Sequence, residues 1–357
     1  MAKLALKPVG LLLLPFLLSS SLSAVTVTDP VGVVKITVEA GVSASQPTLT
    51  FLSTSMSQEV AYQGIVDSGS TGTITIGSDD WTVNQFNGVP HYAIVASGPR
   101  EGEILDIASN TVNTLTLSGG PATENQTDLS GESIRIHKHN TISSVFGSDP
   151  AVGTVERGSK ETADQVLLHD GSYKTHYYNT VATSGPPFNT PLHQGWVNAN
   201  SPNVDASNAA IYPDAGFIYS RVVNTGFDVS VSGQVITNAI KVPVISGYNL
   251  VTIPYPVDKS TTLGTAGLDA LLTSGSKETA DHVVIYDQTN KVYKTYYRNT
   301  VASSGPPFNT PFHQGWVNAN SPNVDASAVD IPVGAGIFIF RRTGGAFNWP
   351  FQNVLTP

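Results

Sequence analysis

The chain repeats itself. Residues 179–207 and 299–327 agree at 27 of 29 positions, differing only where Thr183 and Leu192 become Ser303 and Phe312. Upstream, the heptapeptide GSKETAD stands at both 158–164 and 275–281. The offset between copies is 117 residues there and 120 later, so the second copy carries three extra residues near 288–291. Segments this alike must fold alike, and a unit of roughly 110 residues suits one small β-sandwich or barrel.

The pattern within and around the copies is that of short strands. Val34, Ile36 and Val38 alternate with Lys35, Thr37 and Glu39, and Ile134 and Ile136 alternate with Arg135 and His137. Alternation of period two places apolar side chains on one face of a pleated strand. Asp67-Ser68-Gly69, Ser118-Gly119-Gly120 and Asp170-Gly171 punctuate these runs as turns. Residues 267–272 form the one helix-like stretch. The expected fold class is all-β: an N-terminal small β-barrel-like module over 25–137, then two tandem β-sandwich-like repeats over 138–244 and 245–357.

Residues 1–24 read as a secretory signal peptide. Lys3 and Lys7 precede an apolar run over 9–18 and small residues over 19–24. That run is too short to span a bilayer, and none like it follows, so no transmembrane anchor is expected. Export to the periplasm, cell surface or exterior is the expected localisation. The net charge of −9 argues against nucleic acid as a partner. Charged residues make up 13% of the chain, about half the usual share. There is no cysteine, so neither disulfides nor thiolate metal sites are available.

The copies also test orientation. On the segment from Tyr173 to Tyr178, one face (Tyr173, Thr175, Tyr177) is identical to Tyr293, Thr295 and Tyr297. The other changes His176 to Tyr296 and Tyr178 to Arg298. Buried faces resist change, so the Tyr-Thr-Tyr face is expected to point inward.

Thr28-Asp29-Pro30-Val31-Gly32, residues 81–86 (WTVNQF) and residues 107–117 (IASNTVNTLTL) resemble an uncharacterised family of exported proteins restricted to Verrucomicrobia and Planctomycetes. Ala163-Asp164-Gln165-Val166, Gly195-Trp196 and Ala215-Gly216-Phe217 are similar to its C-terminal part, although the Pro before the Gly turn is missing here. The resemblance implies export but no activity, because the family has none assigned. Residues 92–117 are also similar to small β-modules of phage tail fibres, which carries a structural implication only.

Nothing in the sequence nominates catalytic residues or a cofactor. Nucleophile elbows, zinc-binding helices, phosphate loops and calcium loops are all missing. His137 and His139 share one strand face, a spacing that can hold a metal, but Arg135 on that face would repel a cation and no third ligand is identifiable, so no metal is expected. Three histidines are not kept between copies: His169 becomes Tyr286, His176 becomes Tyr296, and Gln165 becomes His282. His193, Trp196 and Asp205 do recur, as His313, Trp316 and Asp325. As a binding patch, each Trp would stack on a pyranose face while His and Asp bond its hydroxyls. As packing, each Trp would fill the base of its own loop. The expected function is that of a non-enzymatic exported structural protein of the envelope or cell surface, self-association through strand edges being one form of it. The alternatives are a carbohydrate-binding or adhesive module built on the Trp loops, with a surface glycan as partner, and a hydrolase with no residue to nominate.

Overall fold

A computed structural model describes residues 30–77, 80–119, 124–170, 172–255, 261–287, 290, 292–307, 309–332 and 334–351. The expected leader over 1–24 lies outside them. The described residues are almost wholly β, with 26 strands and one short α-helix. Strands β1 (Val31–Val38) and β2 (Thr48–Leu52) come first. A second group comprises β3 (Val60–Ser70), β4 (Thr73–Ile76), β5 (His91–Val95), β6 (Ile104–Asn110), β7 (Thr114–Ser118) and β8 (Ser133–Lys138). Then come β9 (Asn140–Thr141), helix α1 (Ile142–Phe146), β10 (Gln165–Asp170), β11 (Ser172–Asn179), β12 (Gly195–Asn198), β13 (Ser201–Asp205), β14 (Ala210–Ile211), β15 (Phe217–Arg221) and β16 (Phe227–Gln234). The last group is β17 (Ile240–Val244), β18 (Gly247–Thr252), β19 (Thr261–Thr262), β20 (His282–Asp287), β21 (Val292–Asn299), β22 (Gly315–Asn318), β23 (Ser321–Asp325), β24 (Asp330–Ile331), β25 (Gly336–Arg341) and β26 (Phe347–Phe351).

The strand pairings match between the two copies. One six-stranded sheet runs β13-β12-β11-β10-β15-β2 and the other runs β23-β22-β21-β20-β25-β18. Each is accompanied by a two-stranded sheet, β1-β16 in the first unit and β17-β26 in the second. The first core lies between its sheets, with Ile36 and Val38 of β1 and Val229 and Val231 of β16 against Val166, Trp196, Phe217 and Tyr219. The second repeats this with Ile240, Val242, Val244 and Trp349 against Val283, Trp316, Ile337 and Ile339.

This pairing cuts across the boundaries expected from the sequence. β1 and β2 hydrogen-bond to β16 and β15, so residues 31–52 belong to the first repeat and not to an N-terminal module. Residues 240–244, expected to close the first repeat, are β17 and open the second. Strands β3 to β8 close on themselves as a six-stranded antiparallel barrel, in the order β3-β4-β7-β6-β5-β8. That barrel is inserted into the first repeat between β2 and β9, where the second repeat needs only residues 253–260.

Alternation fills the barrel. Ile134 and Ile136 of β8 and Leu115 and Leu117 of β7 point inward with Trp81 and Phe86. β5 is buried along its whole length: Ala93 and Val95 face the barrel core, while Tyr92 and Ile94 join the core of the second repeat. A strand covered on both faces loses the polar half of its alternation. The barrel is further tied to the second repeat by Arg135, which donates to Asn238 Oδ1 at 3.2 Å, and by Lys241 N–H to Gly102 O at 2.8 Å.

The helix-like stretch at 267–272 contains a single 3-10 turn over Leu268–Ala270. Helix α1 of the first repeat matches residues 263–267, just before that turn: Ile142 and Leu263 N–H donate to the equivalent Ala209 and Val329 O. A reciprocal cap starts it, with Ser144 N–H donating to Thr141 Oγ1 at 3.2 Å and Thr141 N–H donating to Ser144 Oγ at 2.8 Å.

The orientation expected for β11 holds only in part. Tyr173 is exposed while His176 and Tyr177 are buried, and it is Tyr178, beside Trp196 across the ladder, that packs on the main core. The identical face is covered by a small cluster of Ala163, Tyr177 and Val197. The face that differs between copies meets elements that also differ: Tyr178 bonds Asp149 at 3.1 Å, whereas Arg298 faces Asp269 at 3.7 Å. Change followed the partner, not exposure.

Candidate functional site

The recurring loops divide their residues between two sides of the sheet. Trp196 is only 1% exposed. Its ring packs among Phe146 and Tyr178, and its Nε1–H donates to Gly147 O at 2.8 Å. Trp316 is 3% exposed and donates to Asp269 Oδ1 at 2.6 Å. Neither indole offers a face to a sugar, so the stacking half of the expected patch is absent and both rings serve the core. His193 and Asp205 lie on the outer side, 3.6 Å apart, as do His313 and Asp325 at 3.4 Å. Each Asp also accepts from the N–H and hydroxyl of the Ser two residues on, at 2.8 and 3.0 Å in both copies. Those bonds hold the Asp325 carboxyl below its usual range. They form a turn, which structural duty alone explains.

Other residues with chemical promise are likewise committed to the fold. Asp164 is buried and accepts from Arg221, from Tyr219 Oη–H at 2.8 Å, and from the N–H groups of Glu156 and Val222 at 2.8 and 2.9 Å. Asp281 does the same for Arg341 at 2.7 Å and for the N–H groups of Thr273 and Arg342. His137 and His139 are both buried. His137 stacks on Tyr92 with its Nδ1 3.0 Å from Gln58 O, while His139 Nε2 lies 3.1 Å from Asp106 Oδ1. Among the described residues no group of three or more metal-ligating side chains occurs.

The two repeats meet about a pseudo-two-fold axis. Leu52 at the end of β2 bridges Ala335, and its equivalent Val251, the penultimate residue of β18, bridges Ala215. Ser53 and Thr252, equivalent residues, hydrogen-bond to each other, Oγ to Oγ1, at 2.6 Å. Gly216 and Gly336, again equivalent, touch backbone to backbone: a Cβ on Gly216 would lie 3.0 Å from the Gly336 Cα. A self-complementary patch of this kind is the geometry of a symmetric dimer interface, here within one chain.

That axis generates two related clefts, one on each side. The first, of about 230 Å³, is lined by His169, Tyr212, Asp214 and Ala215 of the first repeat, by Lys241, Pro243 and Asn348 of the second, and by Glu103, Ile104 and Asp106 of the barrel. The second, of about 200 Å³, has Tyr286, Pro332, Gly334 and Ala335 at the matching places, with Lys35 and Thr37 of β1 opposite. The barrel's carboxylates line only the first. In that cleft Glu103 is neutralised by Arg100 at 2.6 Å, with Lys241 at 3.9 Å. Asp214 keeps some surface in water, yet its carboxyl group is enclosed. Burial, and then the charge of Asp106, push it up to about 6, against the pull of its own N–H and of His139. No sequence signal pointed to this cleft, because its residues come from three distant parts of the chain.

No family description, curated protein or solved structure matches this chain.

Proposed function

We propose that this protein is a non-enzymatic, exported structural protein, a rigid β-scaffold of the cell envelope or cell surface. The observation that carries this reading is the joining of all three β-units into one body. The barrel's Tyr92 and Ile94 complete the core of the second repeat, and the repeats interlock through the paired Ser53–Thr252 and Gly216–Gly336 contacts. The aspartates that recur between copies are engaged in turns and in buried ion pairs, Asp205 and Asp325 in the former and Asp164 and Asp281 in the latter. The leader and the resemblance to an exported family support the location.

Self-association through the sheet edges finds little support. The outer edge strands β13 and β23 each carry a proline, Pro202 or Pro322, and end in an exposed Asp. Each also faces a bulge in its neighbour. These are devices that blunt edge-to-edge pairing. An adhesive reading rests on a different feature: Phe188 is 84% exposed at the tip of a loop pinned by Ser184 N–H to Thr190 O and Asn189 N–H to Gly185 O, both at 2.9 Å. The same amino-acid segment recurs in the second repeat, and a motif carried twice favours avidity.

The test is size-exclusion chromatography with light scattering on the mature protein, alongside cell fractionation and a screen of glycoside, ester and peptide substrates. A monomer in the exported or surface fraction with no turnover is expected. Turnover that co-purifies with the protein, or retention in the cytoplasm, overturns the reading.

A further inference from the structure

We propose that the first cleft between the repeats is a binding site for a small molecule carrying a protonated amine, held between Asp214 and Asp106. The second cleft serves as an internal control. The same pseudo-two-fold axis shapes both, and both keep the lysine (Lys241 or Lys35) and the alanine (Ala215 or Ala335) at matching places. Three other matching positions differ in kind: His169, Tyr212 and Asp214 stand where the second cleft has Tyr286, Pro332 and Gly334. This divergence sits beside a segment in which 27 of 29 residues are unchanged.

The inserted barrel adds a second asymmetry, because it brings Glu103 and Asp106 to the first cleft alone. The charges there do not balance. Glu103 is met by Arg100 and Lys241, and the Lys241 ammonium also donates to Pro99 O at 3.1 Å. Asp106 has one oxygen on His139 Nε2, and among the described residues its other oxygen accepts from no protein group. Among the described residues no side chain donates to Asp214. Two carboxyl groups therefore line one cleft with acceptor sites unused among the described residues, and the lysine that shares the cleft, Lys241, is engaged with Glu103 and Pro99 O. Enclosed carboxylates are stable when paired, and an ammonium group, with three donors and one positive charge, answers both needs at once. A neutral polyol would satisfy the hydrogen bonds and leave the charge. The volume, below the usual range for drug-sized ligands, limits the occupant to about the size of a single amino sugar or a short diamine.

Isothermal titration of the full chain with matched probes tests this: glucosamine against glucose, and 1,4-diaminobutane against 1,4-butanediol. We expect at least one amine to bind and its neutral twin to bind at least tenfold more weakly. Asp214→Asn, close to isosteric, and Asp214→Gly, the residue the second cleft carries, should each weaken amine binding by about 10- to 100-fold, the usual range for loss of a charge-assisted bond. Lys35→Ala in the second cleft should leave it unchanged. Thermal melts verify that each variant is folded. Equal binding of the neutral twins, no binding of either amine at millimolar concentration, or unchanged affinity in both Asp214 variants overturns the proposal.

Discussion

The buried Asp–Arg pairs give two related measurements within one chain. Replacing Asp164 with Ala leaves Arg221, whose side chain is 1% exposed, charged and without its counterion. It also orphans the Tyr219 hydroxyl and two backbone N–H groups. Breaking a buried pair by removing one partner costs about 3–5 kcal/mol. Replacing Asp281 with Ala strands Arg341, whose side chain is 10% exposed and can reach water. The position equivalent to Tyr219 is Ile339, so no hydroxyl is orphaned there. The second cost should be smaller by about 1 kcal/mol, the worth of one hydrogen bond. Urea titration followed by circular dichroism reads both. At roughly 2–4 °C per kcal/mol, the Asp164→Ala melt should fall by about 10 °C and the Asp281→Ala melt by a few degrees less. An Asp164→Ala protein within about 1 kcal/mol of wild type would refute the claim that this residue serves the fold, since a functional carboxylate tolerates removal far better. An Asp281→Ala cost exceeding that of Asp164→Ala would refute the comparison.

Three further outcomes follow from the same contacts. Trp196→Ala or Trp316→Ala should cost about 3–5 kcal/mol in a denaturant melt, as for other large core residues, and unchanged stability would return the indoles to the surface. Gly216→Ala should destabilise by about 1–3 kcal/mol through overpacking against Leu250 and Gly336, and a neutral effect would deny the close approach of the repeats. The Asp214 carboxyl has a folded pKa of about 6, above its unfolded value near 4. The folded state therefore holds the extra proton between about pH 4 and 6, and stability falls as pH rises through that window. Asp214→Asn should raise stability by about 1–3 kcal/mol at pH 7 and by little at pH 4; a stability gain equal at both pH values would contradict this.

Much of the architecture is legible in the residues. Alternation at Ile134 and Ile136 and the 27 shared positions are enough to predict an all-β protein holding two like units. The limits of those units are not legible, because near-identity covers only their middle strands. β1 and β17 share little beyond an apolar alternation and the matched Lys35 and Lys241, so a strand paired with residues some 200 positions away reads as part of whatever lies next to it. For Trp196 the residues around it, His193, Asn198 and Asp205, are polar and leave a binding patch open beside the packing reading; its place on β12, which turns it to the opposite side, decides for packing. The first cleft was invisible for a deeper reason. Asp106, Asp214 and Lys241 acquire meaning only when an inserted barrel and a pseudo-two-fold axis bring them together.

That axis is the central claim, and a cysteine-free chain allows a direct measurement of it. Ser53 and Thr252 lie 199 positions apart with their hydroxyl oxygens at 2.6 Å, within reach of a disulfide. A Ser53→Cys, Thr252→Cys double variant should form an intramolecular bond on mild oxidation, seen as a mass loss of two hydrogens and a joined pair of peptides after digestion, with the melt unchanged or raised. Two thiols that stay free in folded protein, or that cross-link only between chains, would contradict the account.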